Sequence, residues 1–204
     1  MKIGIYGGTF NPPHLGHLAA ARTALDALKL DKLILMPAAV PPHKVLPENS
    51  PAQEHRLAMV ERMADAMERP GAVEVSTLEL EREGKSYTSD TLEAIHRQYP
   101  EAELWLLMGT DMFLTLHLWH EPGTILRLAG ICAFGRSEQD GEDVFAPQRE
   151  FLSKTYPDAR IATITLPGLV DISSTQLREL LARERGSEYL LPSVYGYILM
   201  NRLY

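Results

Sequence analysis

The sequence predicts an α/β fold: a single-domain, doubly wound (Rossmann-like), mainly parallel sheet with helices on both faces. Three observations predict it. Short apolar runs alternate with segments of helical spacing along the whole chain, as repeated strand–helix–strand crossovers require. The first apolar run leads into two glycines and a helix start, so free backbone N–H groups point at one place, ready for an anion. The length of 204 residues suits one α/β domain with a full core, expected over residues 1–204.

Taken in order, Ile3, Ile5 and Tyr6 make a buried strand, broken by Gly7-Gly8 because glycine permits backbone angles that other residues avoid. Thr9 to Pro13 is a turn. Leu15, Leu18, Ala19, Arg22, Leu25 and Leu28 carry helical spacing. The helix starts near Pro13, since proline suits a first helical position. Leu33–Met36 is a second strand, so residues 2–36 read as one βαβ unit. A proline-rich loop covers Pro37 to Pro51, and loops of this length inside compact domains are usually functional or disordered. A helix over about Ala52–Arg69 and a short strand at Val73–Val75 follow. Glu79–Ser86 is polar and reads as a loop or hairpin. Thr88–Tyr99 is a helix capped by Thr88 or Ser89. Leu104–Met108 is a fourth strand, ending at Gly109 and followed by helical segments over 111–118 and 124–128. Ile131–Phe134 is a fifth strand, Ser137–Asp143 an acidic loop, Phe145–Thr155 a helix and Ile161–Leu166 a sixth strand. Helices over Ser173–Arg185 and Ser193–Leu203 follow. In such sheets ligands bind beyond the carboxyl ends of the strands, where the strand order reverses. Gly7, Gly109 and Pro167 all follow such ends.

Composition sets bounds. Hydrophobic residues make up 45% and charged residues 23%, ordinary values for a soluble globular protein. The net charge of −7 argues against non-specific nucleic-acid binding and leaves room for a small basic pocket that takes phosphates. Cys132 is the one cysteine, so no intrachain disulfide forms; its apolar surroundings mark a buried structural thiol. No signal-peptide pattern opens the chain. No apolar run approaches the ~20 residues that span a membrane. A cytoplasmic protein with neither membrane nor nucleic-acid partner is expected, and a homo-oligomer is left open.

His14 and His17 are the first candidate functional residues. Three positions apart, they share a face in the first turn of a helix, and Gly16 between them lets a ligand approach the backbone. Two histidines on one face over a glycine turn outweigh the plainer reading of two surface side chains.

The stretch Gly7-Gly8-Thr9-Phe10-Asn11-Pro12-Pro13-His14-Leu15-Gly16-His17 resembles the signature of the nucleotidyltransferase superfamily that shares a His-x-Gly-His motif. About 155 residues on, Ile172-Ser173-Ser174-Thr175-Gln176-Leu177-Arg178 resembles its second signature. Within that superfamily the whole chain is similar to the bacterial nicotinate-nucleotide adenylyltransferases, which commonly carry Asp where this chain has Asn11. The resemblance implies a single nucleotidyltransferase domain that transfers AMP from ATP to nicotinate mononucleotide by direct in-line attack. The products are nicotinate adenine dinucleotide and pyrophosphate, a step of NAD biosynthesis.

Several roles follow from it. The backbone around Gly7, Gly8, Thr9 and Phe10 approaches the phosphates, and His14 and His17 donate to the α-phosphate and the leaving oxygens. Ile172, Ser173, Ser174 and Thr175 bind the triphosphate at a helix capped by Ser173 or Ser174. Arg178 reaches the β- or γ-phosphate and joins the histidines in catalysis. Gly109 and Asp111 bind the adenosine side. On the acceptor side, Thr9, Thr88, Trp119 and His120 form the nicotinate mononucleotide pocket, with the indole stacked on the pyridinium ring; core packing is the alternative for Trp119. Lys44 and Arg56 are candidates for phosphate contact, with a solvated surface charge as the alternative. Mg²⁺ is expected through substrate phosphates and water, without protein metal ligands. The rivals are adenylyltransferases for nicotinamide mononucleotide or phosphopantetheine, an aminoacyl-tRNA synthetase core, and a nucleotide-binding module without turnover.

Overall fold

The computed structural model describes residues 1–39, 46–135, 141–166 and 172–204. Lys44, one of the acceptor-site candidates, lies outside the described residues. Six strands form one sheet in the order β3-β2-β1-β4-β5-β6, and every pairing is parallel. They are β1 (Lys2–Gly8), β2 (Lys32–Pro37), β3 (Val73–Val75), β4 (Glu103–Gly109), β5 (Ala129–Phe134) and β6 (Ile161–Ile164). This is the doubly wound order the alternation predicts, and the order reverses between β1 and β4.

The helices are α1 (Leu15–Ala27), α2 (Gln53–Asp65), α3 (Thr88–Gln98), α4 (Thr110–Leu114), α5 (Pro122–Leu128), α6 (Glu142–Thr155), α7 (Ser174–Leu181) and α8 (Pro192–Asn201). Two apolar clusters cover the faces of the sheet. One joins Ile3, Ile5, Leu104 and Leu106 to Leu92 and Ile95 of α3; the other joins Tyr6, Leu33 and Leu35 to Leu18, Ala21 and Ala24 of α1. Alanines on the buried side of α1 let the helix sit close to the sheet. A third cluster gathers Met59 of α2, Leu177 of α7, Val194 and Ile198 of α8, and Ile172. Among the described residues, no helix is long and apolar enough to cross a membrane.

Several boundaries differ from expectation. Gly7 and Gly8 do not break the first strand: β1 runs through both, and the described glycines with positive φ are Gly71, Gly84 and Gly186. The left-handed residue of the turn is Phe10, at φ 46°. At Gly8 space is tight instead, because a Cβ there would lie 3.2 Å from the Phe10 ring. Pro13 is not the first helical residue; α1 begins at Leu15 with His14 as its N-cap. Neither Thr88 nor Ser89 caps α3, whose N-cap is Tyr87 without a side-chain bond. Helix α6 starts at Glu142, before the expected Phe145, and the acids Glu142 and Asp143 in its first turn suit the positive end of the helix dipole.

Candidate active site

Beyond the carboxyl ends of β1 and β4 the sheet opens into a cleft. Its floor is Gly7, Gly8, Met108 and Gly109 at the two strand ends. On one side stand Thr9, His14 and His17 at the start of α1, with Ser173, Ser174 and Thr175 at the start of α7. On the other stand Glu79, Ser86, Thr88, Met112 and Trp119. Two helix N-termini therefore meet a glycine-lined strand end, and their unpaired N–H groups and dipoles favour a polyanion there.

The two histidines are built into the cap of α1. His14 is the N-cap residue, in extended backbone conformation, and its Nδ1 accepts from the N–H of Gly16 at 3.2 Å. The main-chain N–H of His14 in turn donates to Nδ1 of His17 at 3.2 Å. The ring centroids lie 3.8 Å apart. Beneath them, Phe10 is 1% exposed, with its ring 5.1 Å from His17 and 5.6 Å from Tyr6. A left-handed conformation costs a non-glycine residue of order 1–3 kcal/mol, and burial of the Phe10 ring offsets that cost.

At α7 the cap is Ser173, which resolves the choice between the two serines. Its Oγ accepts from the N–H of Gln176, and the Gln176 side chain accepts from the N–H of Ser173, a capping box. Ser174 Oγ donates to the carbonyl of Pro12 at 3.3 Å, which ties α7 to the turn before α1. Arg178, one turn on, donates to the carbonyl of Asn11 at 2.8 Å and to Thr175 Oγ1 at 3.1 Å.

Of the predicted nucleotide residues, Gly7, Gly8, Thr9, His14, His17, Gly109, Ser173, Ser174 and Thr175 line the cleft together. Phe10 and Ile172 are buried in apolar clusters rather than at the cleft surface. Asp111 is exposed in the first turn of α4. On the acceptor side, Thr88 and Trp119 line the cleft, and Trp119 also packs against the core. His120 instead stacks on Tyr87, with ring centroids 4.3 Å apart.

Arg56 is not a surface charge. It is 2% exposed and donates to the carbonyls of Thr9 at 2.9 Å and Ala38 at 2.7 Å. Its guanidinium therefore braces the loops after β1 and β2, and its buried Nε has no hydrogen-bond partner among the described residues. Burial pulls its pKa below the ordinary guanidinium value, against the opposing influence of Tyr204 and Glu54.

Sequence reasoning missed Glu79. Its residue is 8% exposed, it lines the cleft, and its Oε1 accepts from Thr91 Oγ1 at 2.8 Å. Burial pushes its carboxyl above the ordinary value, while the Thr91 bond and the nearby Arg82 guanidinium act the other way. Nothing in the polar run around Glu79 marks it as inward-facing. Among the described residues no group of three or more His, Cys, Asp or Glu could hold a metal ion.

Comparison with known proteins agrees with this architecture. The family model described as cytidylyltransferase-like matches residues 5–180. A protein of Shewanella sp. (strain MR-7) named "Probable nicotinate-nucleotide adenylyltransferase" is 39% identical over 216 residues, covering 100% of this chain and 99% of that one. One of the same name from Carboxydothermus hydrogenoformans is 37% identical over 204 residues, covering 100% and 98%. In three dimensions the chain is similar to the Plasmodium falciparum nicotinic acid mononucleotide adenylyltransferase complexed with APC, with a TM-score of 0.79 at 17% identity over 99% of this chain and 96% of that chain. At that identity the likeness speaks for the fold. From the family match and the full-length relatives, the chain belongs to the nicotinate-nucleotide adenylyltransferases of the cytidylyltransferase-like family.

Proposed function

We propose that this protein transfers AMP from ATP to nicotinate mononucleotide, giving nicotinate adenine dinucleotide and pyrophosphate. The observation that carries the reading is the meeting of the α1 and α7 N-termini, with His14 and His17, on one cleft at the sheet's reversal point. An oxygen of the acceptor's phosphate forms a bond to the α-phosphorus of ATP while the bond to pyrophosphate breaks in line. Both reactants are anions, so catalysis is mostly positioning and the neutralising of charge as it gathers on phosphate oxygens.

The helix ends supply part of this. A dipole is worth about 0.3–1 kcal/mol at the surface and up to ~2 when partly buried. Side-chain donors supply more, since loss of one donor to a developing oxyanion costs on the order of 10²–10³ in rate. In this reading His14 and His17 hold the α-phosphate and the leaving oxygens. Ser173, Ser174, Thr175 and Arg178 hold the β- and γ-phosphates, and Gly109 and Asp111 the adenosine. Thr9, Thr88 and Trp119 take the acceptor. Two assignments are refined: His120 lies against Tyr87, next to Thr88 of the acceptor side, and Arg56 braces the loops after β1 and β2 from within. Mg²⁺ is the proposed divalent ion; when bound it neutralises charge on the triphosphate. Residues 1–204 act as one domain, and the cytoplasm, where both substrates would be available, is the proposed location.

Pyrophosphate release by the purified protein tests this. ATP and Mg²⁺ are supplied with nicotinate mononucleotide, nicotinamide mononucleotide or phosphopantetheine in parallel. The expected result is strong preference for the first. Preference for another acceptor removes the assignment of Thr88 and Trp119, and silence with all three removes the proposed function.

A further inference from the structure

Asn11 carries more polar connections than its place in a turn requires. It is 1% exposed, and its polar groups run to three distant parts of the chain. Tyr204 Oη donates to its Oδ1 at 2.6 Å. Its Nδ2 donates to Ser50 Oγ at 2.9 Å. Its carbonyl accepts from Arg178 Nη1 at 2.8 Å, and the next carbonyl, of Pro12, accepts from Ser174 Oγ at 3.3 Å. Residues 11–12 thus hold two side chains of α7, and they lie directly before the His14 cap of α1.

Tyr204 reaches Asn11 because α8 stops at Asn201 and Arg202 takes the left-handed conformation, φ 51°. The chain turns back, and Leu203 and Tyr204 pack against the cluster of Met59, Ile172 and Leu177. Burial raises the phenol's pKa, while the Arg178 and Arg56 guanidiniums beside it pull the other way. The hydroxyl therefore keeps its proton at neutral pH and stays a donor.

We propose that Tyr204 is a positioning residue for ATP: through Asn11 it fixes the start of α7, with Arg178, relative to the His14–His17 turn. The inference rests on reading the cleft between α1 and α7 as the ATP site. It also predicts a division of labour. The Tyr204–Asn11–Arg178 bonds lie on the α1/α7 side of the cleft, while Thr88 and Trp119 lie on the other. Loss of the phenol hydroxyl should weaken ATP and spare the acceptor.

The test is equilibrium binding of ATP with Mg²⁺ by calorimetry, together with KM for each substrate, in wild type, Tyr204→Phe, Asn11→Leu, the double variant and Asn11→Asp. Phe keeps the packed ring. Leu removes the acceptor at similar size. Asp keeps an oxygen for Tyr204, and the Ser50 hydroxyl can donate to its other oxygen. Expected results are about tenfold weaker ATP in each of the first two variants, the same tenfold in the double variant, and near-wild-type affinity in Asn11→Asp. KM for nicotinate mononucleotide stays within about twofold of wild type. ATP affinity unchanged in Tyr204→Phe, effects that multiply in the double variant, or equal weakening of both substrates would each overturn the proposal. Wild type that binds ATP with this coupling but releases no pyrophosphate with nicotinate mononucleotide keeps the role of Tyr204 and removes the acceptor assignment. Wild type that binds no ATP overturns both.

Discussion

The N–H of His14 donates to Nδ1 of His17, and Nδ1 of His14 itself accepts from the N–H of Gly16. Both rings therefore use Nδ1 as an acceptor, so a neutral ring carries its proton on Nε2. The helix cap selects the tautomer before a ligand arrives, and makes each imidazole a donor through Nε2. One pair of residues ends the turn, starts the helix and sets the direction of two hydrogen bonds.

His17→Ala should lower kcat on the order of 10²–10³. His14→Asn separates chemistry from folding, because asparagine is a strong N-cap. Its melting temperature should stay close to wild type while turnover falls as in His17→Ala. Steady-state kinetics beside thermal melts check both; near-normal turnover in either would remove the histidines from the mechanism.

Arg56→Met should cost on the order of 3 kcal/mol in stability. The apolar stem is kept, but the Thr9 and Ala38 carbonyls lose a charged donor inside the protein. Urea unfolding measures it. A loss below about 0.5 kcal/mol would mean that water replaces the guanidinium at little cost.

Glu79 makes stability depend on pH in a direction opposite to most carboxylates. Its unfolded pKa is near 4.5 and its folded value is higher, because burial penalises the charged form. Between the two values the folded chain binds more protons. The stabilising contribution is fully present below the unfolded pKa and is lost as pH rises through the folded one. Glu79→Gln should therefore gain on wild type from about pH 4 upward and then level off. Urea midpoints across that range test it, and a constant gap would refute the linkage.

Cys132 sits at the middle of β5, and burial pushes its thiol up to about 12. At pH 8 the thiolate fraction is on the order of 10⁻⁴. Alkylating reagents should leave the native protein unmodified and label it at one position once denaturant opens the sheet. Rapid native labelling, followed by mass spectrometry, would contradict this burial.

Much of the fold was legible because apolar runs such as Leu33–Met36 and Ile131–Phe134 leave little choice when they alternate with helical segments. The proposed phosphate side was legible for a local reason: His14 and His17 form one helix cap and Ser173 another, each through bonds that span only two or three positions. Arg56, Glu79 and Asn11 were not legible in the same way. Their partners lie 12 to 193 positions away, and a charged residue in a polar run gives no sign of whether it points in or out. Gly7 and Gly8 were read as a strand break, but β1 runs through both, and at Gly8 the tight feature is the Phe10 ring, 3.2 Å from where a Cβ would stand.

The strand order carries one more consequence. The first half of the sheet, β1 to β3, is drawn from residues 2–75, and the second, β4 to β6, from residues 103–164. Among the described strands they are sewn together along a single seam, β1 against β4. The cleft opens at the end of that seam. A nucleotide bound there acts as a clasp across two separately wound halves of the polypeptide, and amide hydrogens of Lys2–Gly8 and Glu103–Gly109 should exchange more slowly in its presence.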